Sequence, residues 1–180
     1  MEITKGIKVR LYPTKNQEAL LSIIFGCKRF IWNQMLAERQ RVYQALKDDK
    51  AALHAFKYRT EKECKALFPF LKKADSMALQ QARIDLNDAF QRFFNHISRY
   101  PRFKSKRGKQ SYRTNNVNAC IKINVSRRKI RLPKLGWITY RDNRACTGVI
   151  KSVTVSKTKH VTRGLIVESR TWLPINWLAR

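Results

Sequence analysis

The sequence predicts an α+β protein: a small β-domain, patterned as a barrel or a sandwich and drawn from residues 1–13 and 100–170, is interrupted by an all-helical domain at 14–99. Three observations carry this. One alternating strand at the N-terminus has no partner nearby in sequence. Apolar residues then recur at helical spacing as far as Ser98. After Pro101 the pattern turns to short alternating runs divided by turn residues. With 180 residues and 43% apolar side chains, the chain can build a real core in one domain or two small ones.

Residues 5–12 read as the first strand, with Ile7, Val9 and Leu11 on one side and Lys8, Arg10 and Tyr12 on the other. Pro13 ends it. Thr14 with Gln17 three residues on is a capping box that starts a helix. Leu20, Leu21, Ile24, Cys27, Phe30, Ile31, Met35 and Val42 keep helical spacing, with Gln34 as a polar exception, and Gly26 is a candidate break into two helices. A polar segment at 47–50 leads to a further helical stretch from Ala51 to about Leu67. The clearest helix spans Ser76–Ser98, with Asp75 as N-cap and a stripe of Leu79, Ala82, Leu86, Phe90, Phe93 and Ile97. Pro101 is its expected stop. Strands are then expected at 120–125, 129–132, 137–141, 148–156 and 161–168.

Charge narrows the partner. Lys and Arg number 39 against 12 Asp and Glu, a net +27 that favours a polyanion, a membrane surface or a very acidic protein. The excess is uneven: residues 1–99 carry a net +9, whereas 100–180 hold 20 basic residues against only Asp142 and Glu168. From Tyr100 to Arg131 there are 11 basic residues and no acid. Within that run Arg102, Lys104, Lys106, Arg107, Lys109 and Arg113 can neutralise phosphates, while Tyr100, Phe103 and Tyr112 can stack on unpaired bases. A basic loop with its aromatics tucked into a core is the plainer alternative. Asn115, Asn116 and Asn118 can read base edges or simply form a turn. Trp32, Trp137, Trp172 and Trp177 are spread too widely for a cage and are expected to be core or ornamental residues. The N-terminus lacks an apolar signal-peptide core and no apolar stretch is long enough to span a bilayer, so a cytoplasmic, nucleoid-associated location without membrane contact is expected.

Catalytic patterns are sparse. The four cysteines, at 27, 64, 120 and 146, form no CxxC, and the three histidines, at 54, 96 and 160, stand apart, so no metal site or cofactor is expected. Asp85 and Asp88 lie three apart beside Arg83 and Arg92, which reads as a solvated face with intrahelical ion pairs rather than a metal-binding pair. Glu61 and Glu63, two apart in a helix, cannot face each other. No phosphate loop and no GxSxG occur, and no small-molecule substrate is indicated.

Five segments, KVRLYPTKNQEALL, FGCKRFIWNQMLAER, SMALQQARIDLNDAFQRFF, PRFKSKRGKQSYRT and IRLPKLGWITYR, stand in the order in which similar segments occur in the N-terminal half of the TnpB (OrfB) family. Those proteins are encoded by bacterial insertion sequences and resemble ancestors of type V CRISPR effectors. The resemblance covers about residues 5–168. It implies a wedge-like β-barrel interrupted by a helical recognition domain, and an RNA-guided system whose partners are a guide RNA and double-stranded DNA. By matching position, Gln80 and Asn118 resemble residues that contact a target-adjacent DNA motif, with Ser76 and Met77 at neighbouring positions and the PRFKSKR stretch along the nucleic-acid backbone. In the family a strand resembling GLIVESR leads into a RuvC-like nuclease with a GxDxG-like Asp, a Glu, a CxxC…CxxC ribbon and a final Asp. None of these follows here, and residues 171–180 resemble nothing in the family. The resemblance therefore implies a truncated member that binds without cleaving, with a nuclease half supplied separately, or an inert relic, as the alternatives.

Overall fold

Pro13 and Thr14 divide the first two elements. The computed structural model describes residues 3–141, 149–157 and 165–173. Strand β1 spans Ile3–Tyr12 and helix α1 spans Lys15–Leu46. The capping box forms as read: Thr14 N donates to Gln17 Oε1 at 3.0 Å and Gln17 N to Thr14 Oγ1 at 3.4 Å. Gly26 does not break α1. A mid-helix glycine costs only about 1 kcal/mol, and Ile24, Phe25 and Cys27 around it are all buried, which holds the helix through it.

The chain forms two units, one of Met1–Phe25 with Lys109–Arg180, the other of Gly26–Gly108. The first is built on antiparallel strands: β2 at Gln110–Asn115, β3 at Lys122–Asn124, β4 at Lys129–Leu132, β5 at Gly136–Arg141, β6 at Val149–Lys157 and β7 at Leu165–Leu173. With β1 they pair in the order β2-β6-β7-β1-β5-β4-β3. Sequence reading missed β2, whose residues it placed in a binding segment of interleaved cations and aromatics, although Tyr112 and Thr114 are buried between outward Ser111 and Arg113. The expected strand at 161–168 overlaps β7, and its residues 161–164 lie outside the described ones, as do Cys146, His160, Asp142 and residues 174–180 of the expected tail.

The core of this unit takes one parity of each strand: Leu11, Ile130, Leu132, Ile138 and Tyr140, together with Leu21, Ile24 and Phe25 from α1. On β6 the parity switches, from Ile150 to Val153 and Val155. The register explains it. Ile150 pairs with Thr171 and Ser152 with Arg170, so Lys151 is an extra residue and every later side chain changes face. Gln17 ties α1 to the sheet, its Nε2 donating to Leu135 O at 3.0 Å and to Trp137 O at 2.9 Å.

The second unit is helical. The expected helix at 51–67 is two pieces, α2 at Lys50–Ala55 and α3 at Glu61–Leu67. Thr60 restarts the chain as a capping box with Glu63, a Thr-x-x-Glu signature present in the sequence and overlooked. A 3-10 turn at Pro69–Lys73 leads to α4, Ser76–Phe94, capped by Asp75 through Met77 N as expected. Helix α4 ends well before Pro101. His96 takes a left-handed φ of 56°, while its N donates to Phe93 O and Ile97 N donates to Arg92 O. These paired bonds are a Schellman motif, and they leave Ile97 exposed instead of extending the apolar stripe. Cys27, Ile31, Met35 and Leu36 of α1 supply this unit's core together with Leu79, Ala82 and Leu86 of α4.

Candidate nucleic-acid interface

The face of the sheet opposite its core is cationic. Strand pleating that buries Leu11, Ile130, Leu132, Ile138 and Tyr140 turns the alternate residues outward. In register these are Lys122 opposite Arg131, Arg131 opposite Trp137, Lys129 opposite Thr139, Tyr12 opposite Thr139 and Arg10 opposite Arg141. The four strands concerned, β1, β3, β4 and β5, contain no acid. Lys8 continues the face, and the register sets Glu168 of β7 opposite it. Trp137 is 44% and Tyr12 41% exposed within this field, so of core and ornament, the two places expected of Trp137, it takes the surface one. Like charges set directly opposite each other destabilise a sheet. The Lys122–Arg131 and Arg10–Arg141 pairs are therefore a structural cost that a polyanion removes.

Beside this face, Asn118, Lys122, Arg131 and Lys134 border one shallow depression of about 540 Å³. Asn118 is exposed with a left-handed φ of 53°. Asn116 is committed to the turn: its Nδ2 donates to Ile150 O and its Oδ1 accepts from Ile121 N, both at 2.8 Å. It is thus a turn residue rather than a base reader. Lys109 is exposed, and Arg113 donates from Nε to Thr154 Oγ1 at 3.4 Å. Tyr112 departs from its expected role. Its ring is 1% exposed and packs edge-on against Phe25 at 5.8 Å, so it offers no face to a base.

In the helical unit, the segment after α4 is pinned to α1. Trp32 Nε1 donates to Arg102 O at 3.0 Å, Asn33 Nδ2 to Lys104 O at 3.0 Å, and Lys104 N to Asn33 Oδ1 at 2.8 Å. These bonds hold Arg102, Phe103, Lys106 and Arg107 in an exposed row. Lys104 Nζ sits 3.5 Å from the Trp32 ring centre. Desolvation there, with Lys28 nearby and Asp85 only partly compensating, pushes its pKa down to about 8. Ser76 Oγ accepts from Lys65 Nζ at 2.7 Å, and Met77 and Gln80, both half-buried, share its turn of α4. Gln80 belongs to the helical unit and Asn118 to the sheet unit.

The acidic face of α4 differs from the sequence reading in its partners. Asp85 accepts from Lys28 Nζ at 2.8 Å and from Gln81 Nε2 at 2.9 Å, and Arg83 pairs with Glu61 at 2.8 Å. Two of these bonds run between helices, so they tie the bundle together instead of lying along one helix. Burial works to raise the Asp85 pKa, but the bonds from Lys28 and Gln81 prevail and hold it below the usual carboxylate value. Among the described residues no three of His, Cys, Asp or Glu converge as metal ligands, and no helix is long and apolar enough to cross a membrane.

Basic, acid-poor surfaces carrying exposed aromatics define a nucleic-acid-binding class of protein. The comparisons agree. A family model described as "Helix-turn-helix domain" (HTH_OrfB_IS605) matches residues 1–48. The chain is 32% identical over 161 residues to "Putative RNA-guided DNA endonuclease InsQ" of Escherichia coli K12, covering 87% of this chain and 38% of that protein. It is 35% identical over 106 residues to "Putative RNA-guided DNA endonuclease" of Streptomyces pristinaespiralis, covering 59% and 26%. It is 37% identical over 114 residues to "Virulence protein VsdF" of Salmonella dublin, covering 58% of this chain and 96% of that protein. The chain belongs to the TnpB (OrfB) family of insertion-sequence proteins. It spans only about a third of the length of the two endonucleases it matches, 38% and 26%. Within the helix-turn-helix match the described residues form β1 and the single helix α1, so the motif's name brings no two-helix docking geometry with it.

Proposed function

We propose that this chain is the nucleic-acid-binding portion of a TnpB-type system and does not itself cleave DNA. RNA lies along the outward face of β1, β3, β4 and β5, where Lys and Arg meet phosphates and Trp137 and Tyr12 stack on unpaired bases. Gln80 and Asn118, with Ser76 and Met77 beside Gln80, contact a motif in duplex DNA, and the exposed row from Arg102 to Arg107 tracks the backbone. The sheet curls as the family's wedge-like barrel, and the protein acts in the cytoplasm on nucleoid DNA. The observation that carries the reading is the row of like charges opposed in register around two exposed aromatics. Filter binding across salt tests it. With 6–10 phosphates engaged, affinity falls on the order of 10³–10⁵ between 50 and 200 mM salt. Binding that is absent or indifferent to salt removes the proposal.

A second reading is favoured by the length of the two endonuclease relatives: a nuclease half made separately completes the chain in trans. Translating the DNA beyond the Glu168 codon in the other two frames tests it. A GxDxG-like strand and CxxC pair without stops there support it, and their absence ends it. The third reading, an inert relic, gives way if the purified chain is monodisperse with a cooperative melt.

A further inference from the structure

Helices α1, α2 and α4 of the helical unit, with Tyr100, enclose a cavity of about 490 Å³ that none of the readings above employs. That volume falls in the range of small-ligand pockets, roughly 300–1,000 Å³. Its wall is aromatic. Phe90 and Phe93 meet Tyr100 edge-on at 5.6 and 5.2 Å, Tyr43 and Tyr58 also line it, and Phe94 stands at its rim 68% exposed. The one charge in the wall is Arg39, whose guanidinium lies 4.7 Å from the Phe90 ring centre and 5.2 Å from that of Tyr58. Arg39 donates to Asn87 Oδ1, a neutral acceptor. Its sequence neighbour Glu38 is engaged instead by Arg59 at 3.2 Å, and among the described residues no carboxylate pairs with Arg39. Burial lowers its pKa, the signature of a desolvated cation.

We propose that this cavity takes an unpaired nucleobase, its flat faces against the aromatic wall and its acceptor edge toward the Arg39 guanidinium. A guanidinium carries five N–H donors in a planar fork, and one acceptor from Asn87 leaves most of that fork unanswered. An aliphatic occupant fills the walls but strands those donors, which is costly in an apolar site. A free anion answers the donors but gains nothing from the rings. A base does both, since every base has a π-face and an edge of oxygen and nitrogen acceptors. A second copy of this chain also carries +27, which opposes its approach. The proposal rests on the nucleic-acid reading of the chain but concerns a surface that reading leaves unused.

The test uses the full chain and two oligonucleotides with abasic backbones, one carrying a single 2-aminopurine and one wholly abasic. Wild type is expected to shield the 2-aminopurine from acrylamide quenching and to bind that oligonucleotide on the order of tenfold more tightly than the abasic one, as stacking of one base implies. Tyr43→Ala and Phe94→Ala, changes at exposed rim residues that leave the core intact, should abolish both effects. Leu67→Ala, at an exposed helix residue outside both surfaces, should leave both in place. Loss of shielding in Trp137→Ala alone sends the base to the sheet face and overturns the proposal. Equal binding of both oligonucleotides without shielding overturns it while leaving the nucleic-acid reading standing. Failure to bind either removes both. A dimer that Tyr43→Ala dissociates assigns the cavity to a second copy, which likewise overturns it.

Discussion

Lys104 and Trp32 meet as ammonium and indole face, 3.5 Å from nitrogen to ring centre, while the same indole donates to the backbone of Arg102 two residues earlier. One side chain thus pins the course of the basic segment and covers one face of a cation on it. The cation–π contact replaces water on one side of the ammonium, and Lys28 behind it adds repulsion.

The first prediction concerns that charge. A lysine whose folded pKa is about 8 lies below its ordinary 10.5. Between those values the unfolded chain holds a proton that the folded chain has released, so stability rises with pH across the window. Below about 8 both states are protonated and the gain is absent. Urea midpoints from pH 7 to 10.5, taken as wild type minus Lys104→Met, should therefore climb with pH. A flat difference would mean that the Lys104 ammonium is not desolvated in the fold.

Arg131 should trade stability for affinity. It stands opposite Lys122 in register, on a strand without acids. Arg131→Thr relieves the like-charge pair and places a β-branched residue on an exposed strand position, so the free protein should gain a few tenths of a kcal/mol. Nucleic-acid binding should weaken, and the slope of log K against log salt should shrink by about 0.7–0.9 for the lost phosphate contact. Thermal melts and filter binding on one preparation read both quantities. Stability and affinity falling together would make Arg131 an ordinary structural residue.

Some of this architecture was readable from local chemistry. Asp75, and Thr14 with Gln17, announce their helices because capping needs only residues two or three apart. The opposite parity of Ile138 and Tyr140 already turned Trp137 outward, and the pairing of Arg131 with Trp137 shows what stands beside it. Strand β2 was missed because its partner, β6, is about forty residues on, Tyr112 opposite Val155. The end of α4 was missed because a histidine, not a glycine, takes the left-handed position at its C-terminus. The aromatic cavity brings Arg39 and Tyr58 together with Phe90 and Tyr100, and no local pattern marks residues that meet only through packing.

Gln17 supplies a sharper test of the join between α1 and the sheet. Its Oε1 caps Thr14 N, and its Nε2 serves both Leu135 O and Trp137 O. Gln17→Ala removes all three bonds, at about 1 kcal/mol each or somewhat less where exposed. Gln17→Glu restores the cap, since Glu serves a capping box as well as Gln. It also turns a carboxylate oxygen toward two carbonyl oxygens. If the sheet contacts dominate, Gln17→Glu unfolds at least as readily as Gln17→Ala in urea. If Gln17→Glu is as stable as wild type, the cap alone matters.

The Lys28–Asp85 bond gives the last prediction, because it joins two helices and also sets the field at Lys104. The Lys28 side chain is 9% exposed and that of Asp85 34%, with 2.8 Å between the charged atoms. Asp85→Asn leaves a buried ammonium without a counter-charge, which costs about 3–5 kcal/mol in a fully buried pair. The exposure of Asp85 puts the expectation here below that range, at about 2 kcal/mol. Lys28→Met in the same chain should recover much of the loss, since it removes the stranded charge. The pH dependence has the same sense as that of Lys104 but lies in an acidic window: with its pKa held below 3.8, Asp85 contributes stability that is present above that value and is lost as pH falls through the folded pKa. Asp85→Asn should also depress the Lys104 pKa further, because Asp85 is the charge that raises it. Following the Lys104 amine by NMR titration in Asp85→Asn therefore reads the coupling directly, and an unchanged titration would show that the Asp85 charge does not reach Lys104.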